Sequence, residues 1–215
     1  MFQVVLYTLL GGLFTFLLTL LGSSIVFFFK EIKKNTMDSM LSLSAGIMLA
    51  AAFFSLLNPA IELALMSYQN IFLTVFLGFM IGGCFIYLCN HFFSFIPYNN
   101  FSFKRCLLLF TSITLHNIPE GLAVGVAFGT MLYGGSLISA LTLTLGIAIQ
   151  NFPEGSAISL PLRRDGVSRF KAFLLGSLSG LVEPVFALIG VFLVLKIQII
   201  LPFILSFAAG AMIFV

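Results

Sequence analysis

Apolar runs of about twenty residues recur along this chain from its first residues to its last, and they restrict the folds open to it more than any other feature. In hydrocarbon no water can satisfy a backbone N–H or C=O, so only α-helices and closed β-barrels cross a bilayer. A membrane strand would show even alternation of apolar and polar residues over about ten positions, and that pattern is missing here. The composition agrees: 60% of the 215 residues are hydrophobic and 8% charged, with a mean hydropathy of +1.18, far from an ordinary soluble domain. The expected class is all-α, a polytopic helical membrane protein forming a single transmembrane domain over residues 1–215.

Seven spans are predicted, at about 4–29, 40–66, 71–90, 105–132, 136–161, 171–195 and 198–215. The opening Met1-Phe2-Gln3 carries no basic segment, so the first run reads as a retained span and not as a cleaved signal. Basic residues then set the orientation. Lys30, Lys33 and Lys34 follow the first span, Lys104 and Arg105 the third, and Arg163, Arg164, Arg169 and Lys171 the fifth; Lys196 alone lies in an even-numbered connection. The bias of basic residues toward the cytoplasm places the odd-numbered loops inside and the N-terminus outside. Cys84, Cys89 and Cys106 offer no disulfide framework and read as lipid-facing or packing residues, and His91 as a surface residue.

With the topology drawn, depth follows from a rise of about 1.5 Å per residue. His116 lies roughly 16 Å past Arg105, Glu154 roughly 14 Å before Arg163 and Glu183 roughly 18 Å past Lys171, all near mid-membrane. Glu62 falls roughly 36 Å beyond Asp38, at the outer interface, as a solvated helix end. Glu31, Asp38 and Asp165 belong to loops or helix ends. Glu120, Glu154 and Glu183 are therefore the interior acids, and no Lys or Arg lies at their depth to pair with them. Carboxylates at that depth need protonation or a bound cation, which makes them candidates for function.

Two of the three sit in related strings, His-Asn-Ile-Pro-Glu-Gly at 116–121 and Gln-Asn-Phe-Pro-Glu-Gly at 150–155. His116 and Glu120 are four residues apart, as are Gln150 and Glu154, so each pair projects from one helix face. Imidazole with carboxylate suits Zn²⁺ and also Cd²⁺, Fe²⁺ or Mn²⁺, whereas Mg²⁺ and Ca²⁺ favour all-oxygen cages. The amide of Gln150 is the weaker ligand. Asn117 and Asn151 have two readings, interhelical hydrogen bonding and metal contact. Pro119 and Pro153 free the carbonyls of Leu115 and Ile149, so kinks that line a path are expected there. The fourth and fifth spans run antiparallel, and their strings form an inverted repeat around midplane.

Small residues at four-residue spacing predict close helix packing: Gly121, Gly125 and Gly129 on the fourth span, Ser42, Gly46 and Ala50 on the second, and Gly176 and Gly180 on the sixth.

These strings, together with Ser-Gly-Leu-Val-Glu-Pro at 179–184 and Ser-Ala-Gly-Ile-Met-Leu-Ala-Ala-Ala-Phe at 44–53, resemble the ZIP family of divalent metal transporters, in its bacterial GufA-like branch. The resemblance implies one metal held by His116, Glu120, Gln150 and Glu154. It implies a neighbouring second position using Asn117, Asn151 and Glu183, with Glu120 and Glu154 bridging. Some relatives have aspartate where this chain has Asn151, so its second position is less negative. Residues 92–104 lack the histidines that the family often carries between the third and fourth spans. The family has eight spans and seven are visible here, which implies a truncated C-terminus.

The function expected is a permease that moves zinc-type divalent ions across the plasma membrane into the cytoplasm. The ion is substrate, with no resident cofactor, and the chain is not an enzyme. Its partners are the ion and the lipid bilayer, with no nucleic acid and with a homodimer as the assembly left open. A proton-coupled carrier of a non-metal substrate is the alternative that the unpaired glutamates allow. An intramembrane metalloprotease would need a zinc claw with its general base, such as H-E-x-x-H, which is absent from the sequence.

Overall fold

Each apolar run becomes helix in the computed structural model, which describes residues 1–29, 33–67, 69–95, 101–196 and 198–214. Helix α1 spans Phe2–Phe28. Helix α2 (Lys34–Ala50) continues through a π-helical segment, Ala51–Leu57, into α3 (Asn58–Met66). A second π-helical segment, Phe72–Phe76, leads into α4 (Leu77–Ser94). Helices α5 (Phe101–Gly129) and α6 (Leu137–Arg164) follow, then α7 (Arg169–Gly180), α8 (Val182–Lys196) and α9 (Leu201–Phe214). No strand occurs among the described residues.

Four stretches, Phe2–Phe28, Ala45–Met66, Phe72–Cys89 and Arg169–Val194, are long and apolar enough to cross a membrane. Helices α5 and α6, at 29 and 28 residues, extend roughly 43 and 42 Å, more than the hydrocarbon thickness. Their ends are locally encoded. Ser136 and Ser168 cap α6 and α7, accepting from the N–H of Ile138 at 3.2 Å and of Lys171 at 3.4 Å. Gly134 and Gly166 occupy the tight turns beside α6 with φ of 89° and 94°, a region that disfavours a Cβ.

The helices form two groups. Helix α1 packs chiefly on α6, α7 and α8, and α5 chiefly on α8. Helix α4 packs on α9, which also meets α3 and the first π-helical segment. The groups touch mainly where α2 meets α6 and α5 meets α9. Buried Ala52, Leu56, Ala60 and Ala64 join Leu205, Ala208 and Met212 in the core.

Two of the three predicted small-residue ladders are close contacts. A Cβ on Gly121 would lie 2.9 Å from Glu183 Cα, and one on Gly125 would lie 2.7 Å from the Ala187 carbonyl carbon. Gly180 abuts Thr19 of α1. The Ser42–Gly46–Ala50 ladder does not pack as expected: all three residues are exposed, and a Cβ on Gly46 would meet nothing within 4 Å. In lipid, small residues permit close approach without a hydrophobic force to compel it, and the core side of this span is the Ala52–Leu56–Ala60 side.

A second difference concerns the sixth span. The stretch Arg169–Val194 runs on as one span, with a single-residue turn of right-handed helical dihedrals at Leu181 (φ −63°, ψ −20°) between α7 and α8. Pro184 has no N–H for the carbonyl four residues back, which is that of Gly180. Pro119 and Pro153 lie inside α5 and α6, which stay helical on both sides. Glu62 and His91 are exposed, Cys84 is exposed and Cys89 half-buried. The side chain of Cys106 and the residues Lys30 and Glu31 lie outside what is described.

Candidate metal centre

Helix α5 contributes His116, Asn117 and Glu120, α6 contributes Gln150, Asn151 and Glu154, and the first turn of α8 contributes Glu183. All seven side chains are buried, Glu154 being 7% exposed and the others 1% or less. His116 and Glu120 share one face of α5, with Nε2 3.1 Å from Glu120 Oε1. The same nitrogen lies 3.8 Å from Glu154 Oε1 across the helix pair. Gln150 donates its amide to Glu120 Oε1, closing the square between the two helices.

Ligand-capable atoms of His116, Glu120 and Glu154 lie within 4.8 Å of one another. Bonds of about 2.0–2.1 Å to a tetrahedral ion would place two such atoms about 3.4 Å apart. Small side-chain rotations therefore bring all three onto one cation. A divalent ion also meets the electrostatic need of the cluster, since no Lys or Arg pairs with Glu120 or Glu183 among the described residues.

The two asparagines make the interhelical hydrogen bonds of their first reading. Asn117 Nδ2 donates to the Ser179 carbonyl at 2.9 Å. Asn151 Nδ2 donates to the Thr15 carbonyl at 3.3 Å and to Glu183 Oε2 at 2.6 Å. Carbonyl and carboxylate oxygens can only accept, so each NH₂ must face them and each Oδ1 must face away. Both Oδ1 atoms are buried without a hydrogen-bond partner among the described residues, as are His116 Nδ1 and Glu120 Oε2. Buried polar atoms are almost always satisfied, and a bound cation would use the lone pairs of these oxygens.

Sequence reasoning missed the contribution of α1. Thr15 and Thr19 are fully buried, and Thr19 Oγ1 donates to Glu183 Oε1 at 3.3 Å. Ser23, one turn further on, donates to the Gly155 carbonyl at 3.2 Å. The available signal was the spacing of Thr15, Thr19 and Ser23, a hydroxyl stripe on one face of an otherwise apolar span.

Fold and site together define an all-α membrane-spanning protein with a cluster of metal-capable side chains sealed in its interior. Residues 99–215 match the family model described as ZIP Zinc transporter. The chain is 36% identical over 295 residues to zinc transporter ZIP11 of Xenopus tropicalis, covering all of this chain and 88% of that protein. It is 37% identical over 221 residues to zinc transporter ZIPB of Bordetella bronchiseptica, covering 97% of this chain and 70% of that protein. It is 33% identical over 208 residues to zinc transporter GufA of Myxococcus xanthus, covering 91% and 79%. The chain belongs to the ZIP zinc transporter family, a family of transporters and not of enzymes.

Proposed function

We propose that this protein carries zinc, and related divalent ions such as Cd²⁺, Fe²⁺ or Mn²⁺, across the plasma membrane into the cytoplasm, with its N-terminus outside. The first ion position consists of His116, Glu120, Gln150 and Glu154. The second consists of Asn117, Asn151 and Glu183, with Glu120 and Glu154 bridging. The observation that carries this reading is the buried cluster of His116, Glu120 and Glu154 at ligand-like separations. Zinc is favoured over Mg²⁺ or Ca²⁺ because the cluster supplies an imidazole. The weak amide of Gln150 suits an ion that must leave again.

All seven residues belong to the group of α5, α6 and α8 with α1 and α7. An ion held there would travel with that group as it moves against α2, α3, α4 and α9, a route to alternating access around one site. Protein reconstituted in liposomes tests the site directly. His116→Ala is expected to lose at least roughly tenfold in zinc uptake, the lower bound set by removing even an outer-shell partner of a metal site. Glu62→Ala, at an exposed helix end, is expected to keep uptake. Wild-type uptake in His116→Ala overturns the site.

Ion binding is also readable without transport. Zinc at a hundred times its dissociation constant should stabilise the folded protein by about 2.7 kcal/mol. A thermal-unfolding midpoint that ignores zinc and cadmium overturns the reading.

A further inference from the structure

Glu183 is fully buried and its carboxylate is gripped from two sides by two different helices. Asn151 of α6 holds Oε2 at 2.6 Å, and the hydroxyl of Thr19 on α1 donates to Oε1 at 3.3 Å. The first helix brings no His, Asp or Glu to the ion positions, and it reaches them through the side chains of Thr19 and Thr15 on Glu183 and through the Thr15 carbonyl that fixes Asn151. Delivery of the hydroxyl depends on the close approach of α1 to Gly180, three residues before Glu183. A Cβ on Gly180 would come within 2.8 Å of Thr19 Oγ1, so only a glycine there lets α1 approach.

We propose that Thr19 is a positioning residue for zinc transport, holding Glu183 so that its carboxylate faces the second ion position. This rests on the reading of Glu183 as part of that position. Each carboxylate oxygen keeps further lone pairs after accepting one hydrogen bond, so the Thr19 contact orients Glu183 without consuming its capacity to bind a cation. The hydroxyl has one hydrogen and a second acceptor in reach, the Thr15 carbonyl at 3.4 Å. Rotation between them would let the carboxylate exchange the hydroxyl for an arriving ion. With Thr19 lacking its hydroxyl, Glu183 keeps its hydrogen bonds to Asn151 and to the Thr15 side chain and loses the contact on Oε1 that comes from Thr19.

Two substitutions separate positioning from packing. Thr19→Val keeps the methyl that lies against Gly180 and removes the hydroxyl, whereas Thr19→Ser keeps the hydroxyl and removes the methyl. Zinc uptake into liposomes is measured for both, with KM and maximal rate resolved. A hydrogen bond to a charged group sets the scale, so Thr19→Val is expected to raise KM roughly tenfold with the maximal rate within about twofold of wild type. Thr19→Ser is expected to stay within about twofold of wild type in both. Thr19→Ala, a second hydroxyl-free variant, is expected to match Val and serves if Val does not fold. Wild-type KM in the hydroxyl-free variants, or a defect in Ser equal to that in Val, overturns the proposal. Glu120→Gln run alongside distinguishes the two failures: if it is inactive while Thr19→Val is normal, only the role of Thr19 falls, and if it transports normally, the ion site itself falls.

Discussion

In Glu120→Gln, zinc uptake is expected to fall by about two orders of magnitude or more, beyond the 10–100-fold that loss of an outer-shell partner costs a metal site. Glu120 is fully buried, pairs with His116 through Oε1, accepts the Gln150 amide on the same oxygen, and leaves Oε2 without a hydrogen-bond partner among the described residues. Glutamine matches its shape, so the fold has no steric reason to change. The charge that attracts a divalent ion is lost, and an NH₂ group takes the place of a ligand oxygen. A buried carboxylate with no Lys or Arg partner carries a desolvation cost that the neutral amide avoids, so the zinc-free protein should unfold at the wild-type temperature or above. The added stability from zinc should shrink or vanish. Uptake within a few-fold of wild type would contradict the assignment of Glu120 as a ligand.

Gly125→Leu is expected to be among the most damaging substitutions outside the ion site, destabilising the protein by about 3 kcal/mol, the upper end of the overpacking range. The reason is that the obstruction is backbone. A Cβ at this position would lie 2.7 Å from the Ala187 carbonyl carbon and 2.9 Å from the Val191 nitrogen, and main chain cannot rotate aside as a side chain can. Helices α5 and α8 would have to separate. Gly121 touches the backbone of Glu183 one turn away, so separation also draws Glu183 from Glu120 and uptake falls with stability. Gly46→Leu is the matched control, because a Cβ there meets nothing within 4 Å. Its stability should stay within about 0.5 kcal/mol of wild type, as for surface substitutions generally. Thermal unfolding in detergent of the two variants checks the contrast.

Those two glycines occupy the same local pattern, a small residue every fourth position in an apolar helix, and they show where sequence reading stops. The pattern says that a face can approach another closely. Whether it does depends on which helix arrives, and that is a property of the assembled bundle. The same holds for Thr19, which is 164 residues from Glu183 in the chain and in hydrogen-bond contact with it in the fold. The one-residue turn at Leu181 escaped for a related reason. Apolar composition continues through it, and Pro184 sits close enough to the new helix start to be tolerated in its first turn.

What the sequence by itself determined is local and short in range. Hydrocarbon forces helices wherever about twenty apolar residues run together, and a four-residue spacing forces His116 with Glu120, and Gln150 with Glu154, onto common faces. Counting along those helices gave the mid-membrane depth expected of His116, Glu154 and Glu183. What only the tertiary structure decided is how the faces meet: His116 beside Glu154, Gln150 on Glu120, the asparagine amides turned toward the carbonyls of α1 and α7, and Thr19 against Glu183. Those contacts join residues far apart in sequence, and they arise because backbones separated by glycine alone lie close enough for short side chains to reach across.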